Sequence, residues 1–439
     1  MPVAQYGLRR SGIARLCRVG TGRILIVGDS VTNANNHTGA WSANGQSALG
    51  WAMMRRFKPD NGIESLLAQG SNTAYPFFQR ADGSGTGYST TGKNNSPTVA
   101  ANRQTVVGAR TNFALSDFRC VDMFTGGSPW TTGTAAWELK MNLDQSNYRH
   151  ASPADYHPAI RESFTAQLLY LQHTEGPLQV TVGIGRNGSI SQVTAAFDMN
   201  GAQSVKLSPA IGTPVAAAST FGLVRLTRTA VPDVTNRQAV ILGALIRFGG
   251  RSQGNGLGIH ALGTGSSTHA NWFSNDVGDL TPQAGTGVFG TDATLTEYLN
   301  LLRPDVIVHA YGYNDAADNA TWTTNRTDIV DRFETCAQAA SLTSVKHWLW
   351  TPYACTSLPY TTVGGCADRD MAIAAAGTAN VPPDRMASTA LHMLTGQFPQ
   401  AAVSGGRGRV TPFGDQVHPT CDASDYLADR VWELCEQQA

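Results

Sequence analysis

The apolar positions of this chain change period twice. GRILIVGDS (22–30) is a continuous apolar run closed by a Gly turn, the pattern of a strand buried on both faces at the start of a parallel α/β sheet. SALGWAMMRRF (47–57) predicts a helix. RADGSGTGYSTTGKNNSPTVAANR (80–103), crowded with Gly, Ser, Thr and Asn, predicts a long loop or linker. From about 105 to 250 the runs become short and β-rich: TNFALSDFRCVDMF, AAWELKMNL, FTAQLLYLQH, LQVTVGIG, SQVTAAFDM, FGLVRLTRT and QAVILGALIRF, punctuated by Gly, Asn and Pro. That spacing predicts a β-sandwich of jelly-roll type.

After 250 the α/β pattern returns. TLTEYLNLLRP (294–304) and RTDIVDRFETCAQAA (326–340) predict helices, DVIVHAYG (305–312) and KHWLWTPY (346–353) buried strands. DASDYLADRVWELCEQ (422–437) opens on an Asp cap and carries an apolar helical stripe. The simplest architecture is one α/β domain, residues 21–100 and 255–439, interrupted by an inserted β-sandwich at 105–250. No repeat of solenoid length is present.

Composition narrows the partners. The chain has 439 residues, with Lys+Arg and Asp+Glu both at 32. A zero net charge argues against nucleic-acid binding by phosphate neutralisation and against a polybasic membrane anchor. Charged residues are only 15% of the chain, below the roughly 25% of typical soluble domains. No apolar run approaches membrane-spanning length, and the apolar content is too high for disorder. The N-terminus, MPVAQYGLRRSGIARLCRVG, has no apolar stretch of signal-peptide length. That leaves a cytosolic protein, export by lysis or another route, or a processed signal, and keeps extracellular or virion-associated action open. The seven cysteines, Cys17, Cys120, Cys336, Cys355, Cys366, Cys421 and Cys435, contain no CxxC pair, so zinc-ribbon and thioredoxin-type sites are not expected. Cys355/Cys366 and Cys421/Cys435 are spaced for local disulfides, with free buried thiols the equal alternative.

Three short segments carry candidate chemistry. Gly28-Asp29-Ser30 closes the first strand, and a Ser there stands at the carboxyl end of a sheet, where α/β ligand sites form. A helix following it would favour negative charge near the Ser oxygen, which suits a nucleophile and an oxyanion. Gly312-Tyr313-Asn314-Asp315 ends the strand DVIVHAYG, and the Asn314 carboxamide is placed to donate to a developing oxyanion. Asp415-Gln416-Val417-His418-Pro419 precedes the last helix. A serine nucleophile needs a base and the base an orienting carboxylate; three-residue spacing lets Asp415 reach Nδ1 of His418 and leaves Nε2 for Ser30. Each segment alone has a plain alternative: an Asx turn, an Asn-Asp turn, and a surface loop with an ordinary His.

Taken together, in this order, the segments resemble the SGNH (GDSL-type) hydrolase family. Its blocks are a Gly-Asp-Ser nucleophile, a Gly, a Gly-x-Asn-Asp and an Asp-x-x-His-Pro; the first, third and fourth stand intact here. The second is the loosest match. HALGTGSSTHANW (260–272) is its best place, with Gly265 favoured and Gly263 second, and the usual Asn-x-Gly-like opening reads His260-Ala261-Leu262-Gly263. The resemblance covers roughly 21–100 and 255–439. It implies a flavodoxin-like three-layer α/β/α fold, a Ser30–His418–Asp415 triad, and an oxyanion hole of the Ser30 and Gly265 amides with the Asn314 side chain. It implies no metal and no cofactor.

Other features weigh less. Asp155-Tyr156-His157-Pro158 has one residue too few between Asp and His and lies out of order. His150, Asp155 and His157 read as an ordinary loop before a metal site. GNGLG (254–258) fails the dinucleotide fingerprint because position 261 is Ala. Trp41, Trp130, Trp137 and Trp272 could stack on sugars, with core or rim packing the plainer reading.

The expected function is therefore a serine esterase, acting on O-acetyl groups of a polysaccharide. A weakly charged surface suits glycans, no apolar lid segment suggests a lipase, and the β insert is placed to shape a glycan groove beside the active-site face. A phage tail enzyme that deacetylates a host glycan fits the same features. Two alternatives stay open: a lipolytic or small-ester hydrolase of the same mechanism, and a non-enzymatic virion or glycan-binding protein on a hydrolase scaffold. The expected partner is an acetylated glycan or other ester, without nucleic acid or membrane insertion; the sequence leaves the oligomeric state open.

Overall fold

The computed structural model describes residues 22–28, 63–68, 78–79, 119–122, 124–125, 128–129, 135–141, 162–174, 176–186, 189–218, 222–228, 238–249, 257–263, 292–310, 319–350 and 386–387. In chain order the strands are β1 (Arg23–Gly28), β2 (Ile63–Ala68), β3 (Phe78–Gln79), β4 (Arg119–Asp122), β5 (Phe124–Thr125), β6 (Ser128–Pro129), β7 (Ala135–Met141), β8 (Phe164–Gln172), β9 (Val180–Arg186), β10 (Ser189–Val193), β11 (Ser204–Leu207), β12 (Gly222–Arg228), β13 (Gln238–Phe248) and β14 (Leu257–Gly263). Helix α1 (Asp292–Leu302), β15 (Val306–Ala310), α2 (Asn319–Ala339), β16 (Lys346–Trp350) and β17 (Met386–Ala387) follow.

One large sheet dominates. Its order is β11-β8-β13-β2-β14-β1-β15-β16-β17, with β4 also paired to β13. From β2 to β17 every neighbouring pair is parallel. The strands β14-β1-β15-β16-β17 then run in the order 2-1-3-4-5, the doubly wound order whose switch point lies beside the first strand. β1 and β15 are the most apolar runs of this half. Ile24, Leu25, Ile26 and Val27 of β1 and Val306, Ile307 and Val308 of β15 are fully buried. A strand covered on both faces has no use for the alternating pattern, which is why these segments read as continuous apolar runs.

On one face of this sheet lie α1 and α2. Helix α1 buries Thr294, Leu295, Tyr298, Leu299 and Leu302, and α2 buries Ile329, Val330, Phe333, Cys336 and Ala337, each an i, i+3/i+4 stripe. Arg303 ends α1 with a φ of 47°, its N–H bonded to the Leu299 carbonyl at 2.7 Å, and Pro304 blocks continuation. Asp305 then pins the starts of β1 and β15 together. Its carboxylate accepts the Arg23 N–H at 2.8 Å, and its own N–H donates to the Arg23 carbonyl at 2.8 Å. Burial raises the Asp305 pKa, partly countered by that bond.

Among the described residues, several strands between 105 and 250 join the large sheet. β13 pairs antiparallel with β2, β8 with β13, and β11 with β8, so these strands extend the large sheet. Of the other described strands, β7, β9, β10 and β12 build a second, antiparallel sheet of order β10-β9-β12-β7-β3, which takes in β3 from before residue 105, and β5 pairs with β6 alone. Leu169, Leu171, Val205 and Leu245 sit in the same hydrophobic cluster as Leu25, Val27 and Ile307 and the inner stripes of α1 and α2. Glu297 of α1 accepts the Val205 N–H at 2.7 Å. The opposite face of β8 meets the second sheet: Arg186 of β9 lies 5.1 Å over the Phe164 ring and donates to the Ala216 carbonyl at 2.8 Å. Helix 47–57, loop 80–103 and helix 422–437, as the sequence predicts them, lie outside the described residues. No described helix is long and apolar enough to cross a membrane.

Candidate functional site

Three adjacent parallel strands end at one level. Gly28, the last residue of β1, pairs with Gly263, the last of β14, and with Ala310, the last of β15. Parallel neighbours lie about 4.8 Å apart, so the three ends span about 10 Å at the carboxyl edge. In an open doubly wound sheet this edge is where ligands bind.

Each of these strands leads into one of the sequence-predicted blocks. Ser30 follows the end of β1 by two residues, Gly265 follows the end of β14 by two, and Asn314 follows the end of β15 by four. Chain length alone keeps Ser30 and Gly265 within about 7 Å of their strand ends, and Asn314 within about 14 Å. Ser30, Gly265, Asn314, Asp415 and His418 themselves lie outside the described residues, as do Asp29, Asp315 and the whole 388–439 segment. Gly263, the second choice for the Gly block, is a strand residue: the HALG segment continues β14 to the level of Gly28.

The lesser candidates divide in the same way. His150, Asp155, His157, Trp41, Trp130 and Trp272 lie outside the described residues. Trp137 is in β7, opposite Leu226 of β12. Of GNGLG, Leu257 and Gly258 open β14. Gly258 has a packing reason to be glycine, since a Cβ there would come within 2.7 Å of the Arg23 Cγ, and its N–H donates to the Gly22 carbonyl at 2.7 Å.

Beneath the strand ends lies a polar feature that sequence reasoning missed. His309, one residue before the end of β15, is fully buried. Its Nε2 lies 3.0 Å from Nδ1 of the buried His347 on β16. His347 Nε2 in turn lies 2.8 Å from Oε2 of Glu334 on α2. The available signal was a single His inside each of the apolar runs VIVHA and KHWLW. His260 on β14 is also fully buried, level with Leu25 of β1.

No known family model matches the chain, and no curated protein does. Solved structures similar to it include a peptidoglycan O-acetylesterase, at 12% identity and a TM-score of 0.44 over 97% of this chain and 95% of that one. TesA is similar at 18% identity and a TM-score of 0.25, over 42% of this chain and 79% of that one. A family two carbohydrate esterase from Clostridium thermocellum, in complex with cellohexaose, is similar at 10% identity and a TM-score of 0.25, over 72% and 96%. At such low scores these likenesses establish neither family nor activity for this chain.

Proposed function

We propose that the chain is a serine ester hydrolase with Ser30 as nucleophile, His418 as general base and Asp415 as the carboxylate that orients it. The observation that carries this reading is the common end of β14, β1 and β15: Gly263, Gly28 and Ala310 stand side by side. Ser30, Gly265 and Asn314 follow these strand ends by two, two and four residues. Three segments spread between residues 30 and 314 thereby each follow a strand that ends at one edge of one sheet. Gly265 follows β14 by the same two residues as Ser30 follows β1, which favours it over Gly263 for the oxyanion hole.

The chemistry follows from those roles. The Ser30 hydroxyl attacks the ester carbonyl while His418 Nε2 takes its proton. The oxygen that becomes negative is met by the N–H groups of Ser30 and Gly265 and by the Asn314 carboxamide. The tetrahedral intermediate collapses with loss of the alcohol, protonated by His418. Water then attacks the acyl-serine with the same base, releasing the acid. Asp415 holds the imidazole in the required tautomer and offsets its charge when protonated. The substrate class we favour is an O-acetylated polysaccharide: the chain has no net charge and few charged residues, which suits an uncharged polymer. The discontinuous hydrolase region, 21–100 with 255–439, and the contribution of 105–250 to glycan binding belong to the same proposal.

The test is acetate release from a panel of acetylated glycans between about pH 5 and 8. Turnover should rise through one apparent pKa near neutrality as the His418 ring loses its proton, and Ser30→Ala should abolish it. A rate flat across that range, or unimpaired turnover by Ser30→Ala, contradicts the reading. Faster turnover of long-chain esters than of acetyl esters would move the substrate class to lipids.

A further inference from the structure

The segment that carries Asn314, 311–318, leaves β15 at Ala310 and enters α2 at Asn319. The two elements that flank it are tied together again away from it. Phe333 and Glu334, consecutive residues of α2, each meet one of two buried imidazoles. The Phe333 ring stands edge-on to His309, 5.3 Å away at 87°. Glu334 Oε2 lies 2.8 Å from His347 Nε2, and His347 Nδ1 lies 3.0 Å from His309 Nε2. The imidazoles are stacked, with centroids 5.3 Å apart and planes 24° from parallel. β15, the 311–318 segment, α2 and the Glu334–His347–His309 string therefore close a ring, with Asn314 in one arm and the string in the other.

The string lies just under the strand ends. His309 is one residue before Ala310, about 3.3 Å along the strand, and level with Val27 of β1. His347 is level with Ile307, about 10 Å before that end. His260 of β14 is a third buried imidazole on this face. It is level with Leu25, Leu25 with Ile307, and Ile307 with His347. Three strand spacings, about 14 Å, separate His260 from His347, so it stands outside the string. Arg326 precedes Glu334 on α2 by about 12 Å of helix. Both string imidazoles, His260 and Arg326 have further partners, and the two bonds of the string stand whatever those add.

We propose that Glu334 and His347 are positioning residues for the Asn314 oxyanion donor, acting through His309 and the ring that the string closes. Apolar packing by Ile329, Val330, Phe333, Cys336 and Ala337 already holds α2 on the sheet, but packed helices can slide by small steps. Hydrogen bonds resist that, because they weaken steeply with misalignment. A bonded polar string adds little net stability over an apolar one of the same shape. What it adds is a fixed height of α2 against β15 and β16, which the 311–318 segment inherits at both of its ends. That height matters to an oxyanion donor, which has to stand about 2.7–3.1 Å from the oxygen that becomes negative. A misplacement of about 1 Å costs a catalytic group about a hundredfold. These roles rest on the serine-hydrolase reading of the site.

The experiment is a double-mutant cycle on acetyl-ester turnover by the full chain: wild type, Glu334→Ala, Asn314→Ala and the pair, with Glu334→Gln as the conservative variant. Glu334→Ala should lower kcat by about ten- to a hundred-fold with a smaller change in KM. Glu334→Gln, whose carboxamide oxygen still accepts from His347, should keep most of the wild-type kcat. In the Asn314→Ala background, Glu334→Ala should cost less than about threefold more, because a donor that is gone cannot be misplaced. A general loosening of the fold would slow both backgrounds alike. Equal losses in the two backgrounds, no loss in Glu334→Ala, or a Glu334→Gln as slow as Glu334→Ala would overturn the positioning role and leave the reading of the site standing. Asn314→Ala at the wild-type kcat would overturn the oxyanion assignment itself, and the positioning role with it. Should Glu334→Ala not fold, His309→Leu cuts the string at its other end and takes its place in the cycle, with the same expected non-additivity.

Discussion

Replacing residues 105–250 with a short linker is the perturbation with the widest consequence. A β-sandwich with its own core would be removable, and the α/β part would go on hydrolysing a small soluble ester. The packing argues otherwise. Deletion takes away Leu169, Leu171, Val205 and Leu245, each at most 4% exposed, from the cluster that also holds Leu25, Val27, Ile307 and the inner faces of α1 and α2. At about 1.5–3 kcal/mol for each fully buried aliphatic side chain, the loss is about 6–12 kcal/mol. That is comparable to the entire stability of a typical domain, about 5–15 kcal/mol. The deletion also strips β2 of its partner β13, leaving only its β14 edge paired. The deleted chain should therefore give no cooperative unfolding transition by circular dichroism or calorimetry and no activity on any ester. A milder arm uses Leu169→Ala, which should cost about 2–5 kcal/mol. In hydrogen exchange it should lower protection in β1 and β15 as well as in β8, because one core serves both. A folded deletion variant that turns over a small acetyl ester, or a Leu169→Ala effect confined to 105–250, would refute the shared core.

Three further outcomes follow from single positions. Asn314→Ala should lower kcat by roughly a hundred- to a thousand-fold with a smaller change in KM; an equal fall in affinity at unchanged kcat would make Asn314 a substrate-binding residue instead. Gly176→Ala should destabilise the protein by at least about 1–3 kcal/mol, because a Cβ there would fall 2.0 Å from the Met199 carbonyl oxygen, a backbone atom with little freedom to retreat; an unchanged urea midpoint would contradict this. Tyr170 is pushed up to about 12 by burial, with Asp198 nearby as a second cause. The folded chain keeps that proton where the unfolded chain loses it, so stability should fall as pH rises from about 10 toward 12, and Tyr170→Phe should lessen the fall; identical alkaline profiles would exclude the effect.

Local pattern made the elements legible and left their neighbours hidden. QAVILGALIRF is read from the sequence as a β-rich run with the limits that β13 has, its apolar core VILGALI holding three β-branched residues and an interior Gly that disfavours helix. α2 begins at Asn319, seven residues before the predicted 326, because NATWTTN shows no apolar stripe and is helical by continuity with the buried turns that follow. β2, IESLLA, escapes prediction: Glu, Leu and Ala favour helix, and only β13 on one side and β14 on the other make it a strand. The same long-range pairing joins β4, β8, β11 and β13 of the predicted insert to the main sheet, a fact no spacing expresses. For the candidate site, the strands β1 and β15 that precede the Gly-Asp-Ser and Gly-x-Asn-Asp motifs were legible in the sequence, while Asp415 and His418 lie outside the described residues. That β14, β1 and β15 lie side by side with their ends level depends on pairing across more than two hundred residues. His309 and His347 looked like isolated polar residues in buried strands, since nothing in either run points to the other.

Every role proposed for the site depends on Ser30, two residues beyond β1, being a nucleophile activated at the carboxyl edge of this sheet. Covalent labelling of the intact chain with a serine-directed organophosphate, followed by peptide mapping, tests that with no glycan assumed. One equivalent of label on the peptide carrying Gly28-Asp29-Ser30, on Ser30 itself, with labelling slowed by His418→Ala, is the predicted result. Labelling at another serine, or none at Ser30 under conditions where the chain hydrolyses an acetyl ester, would contradict it.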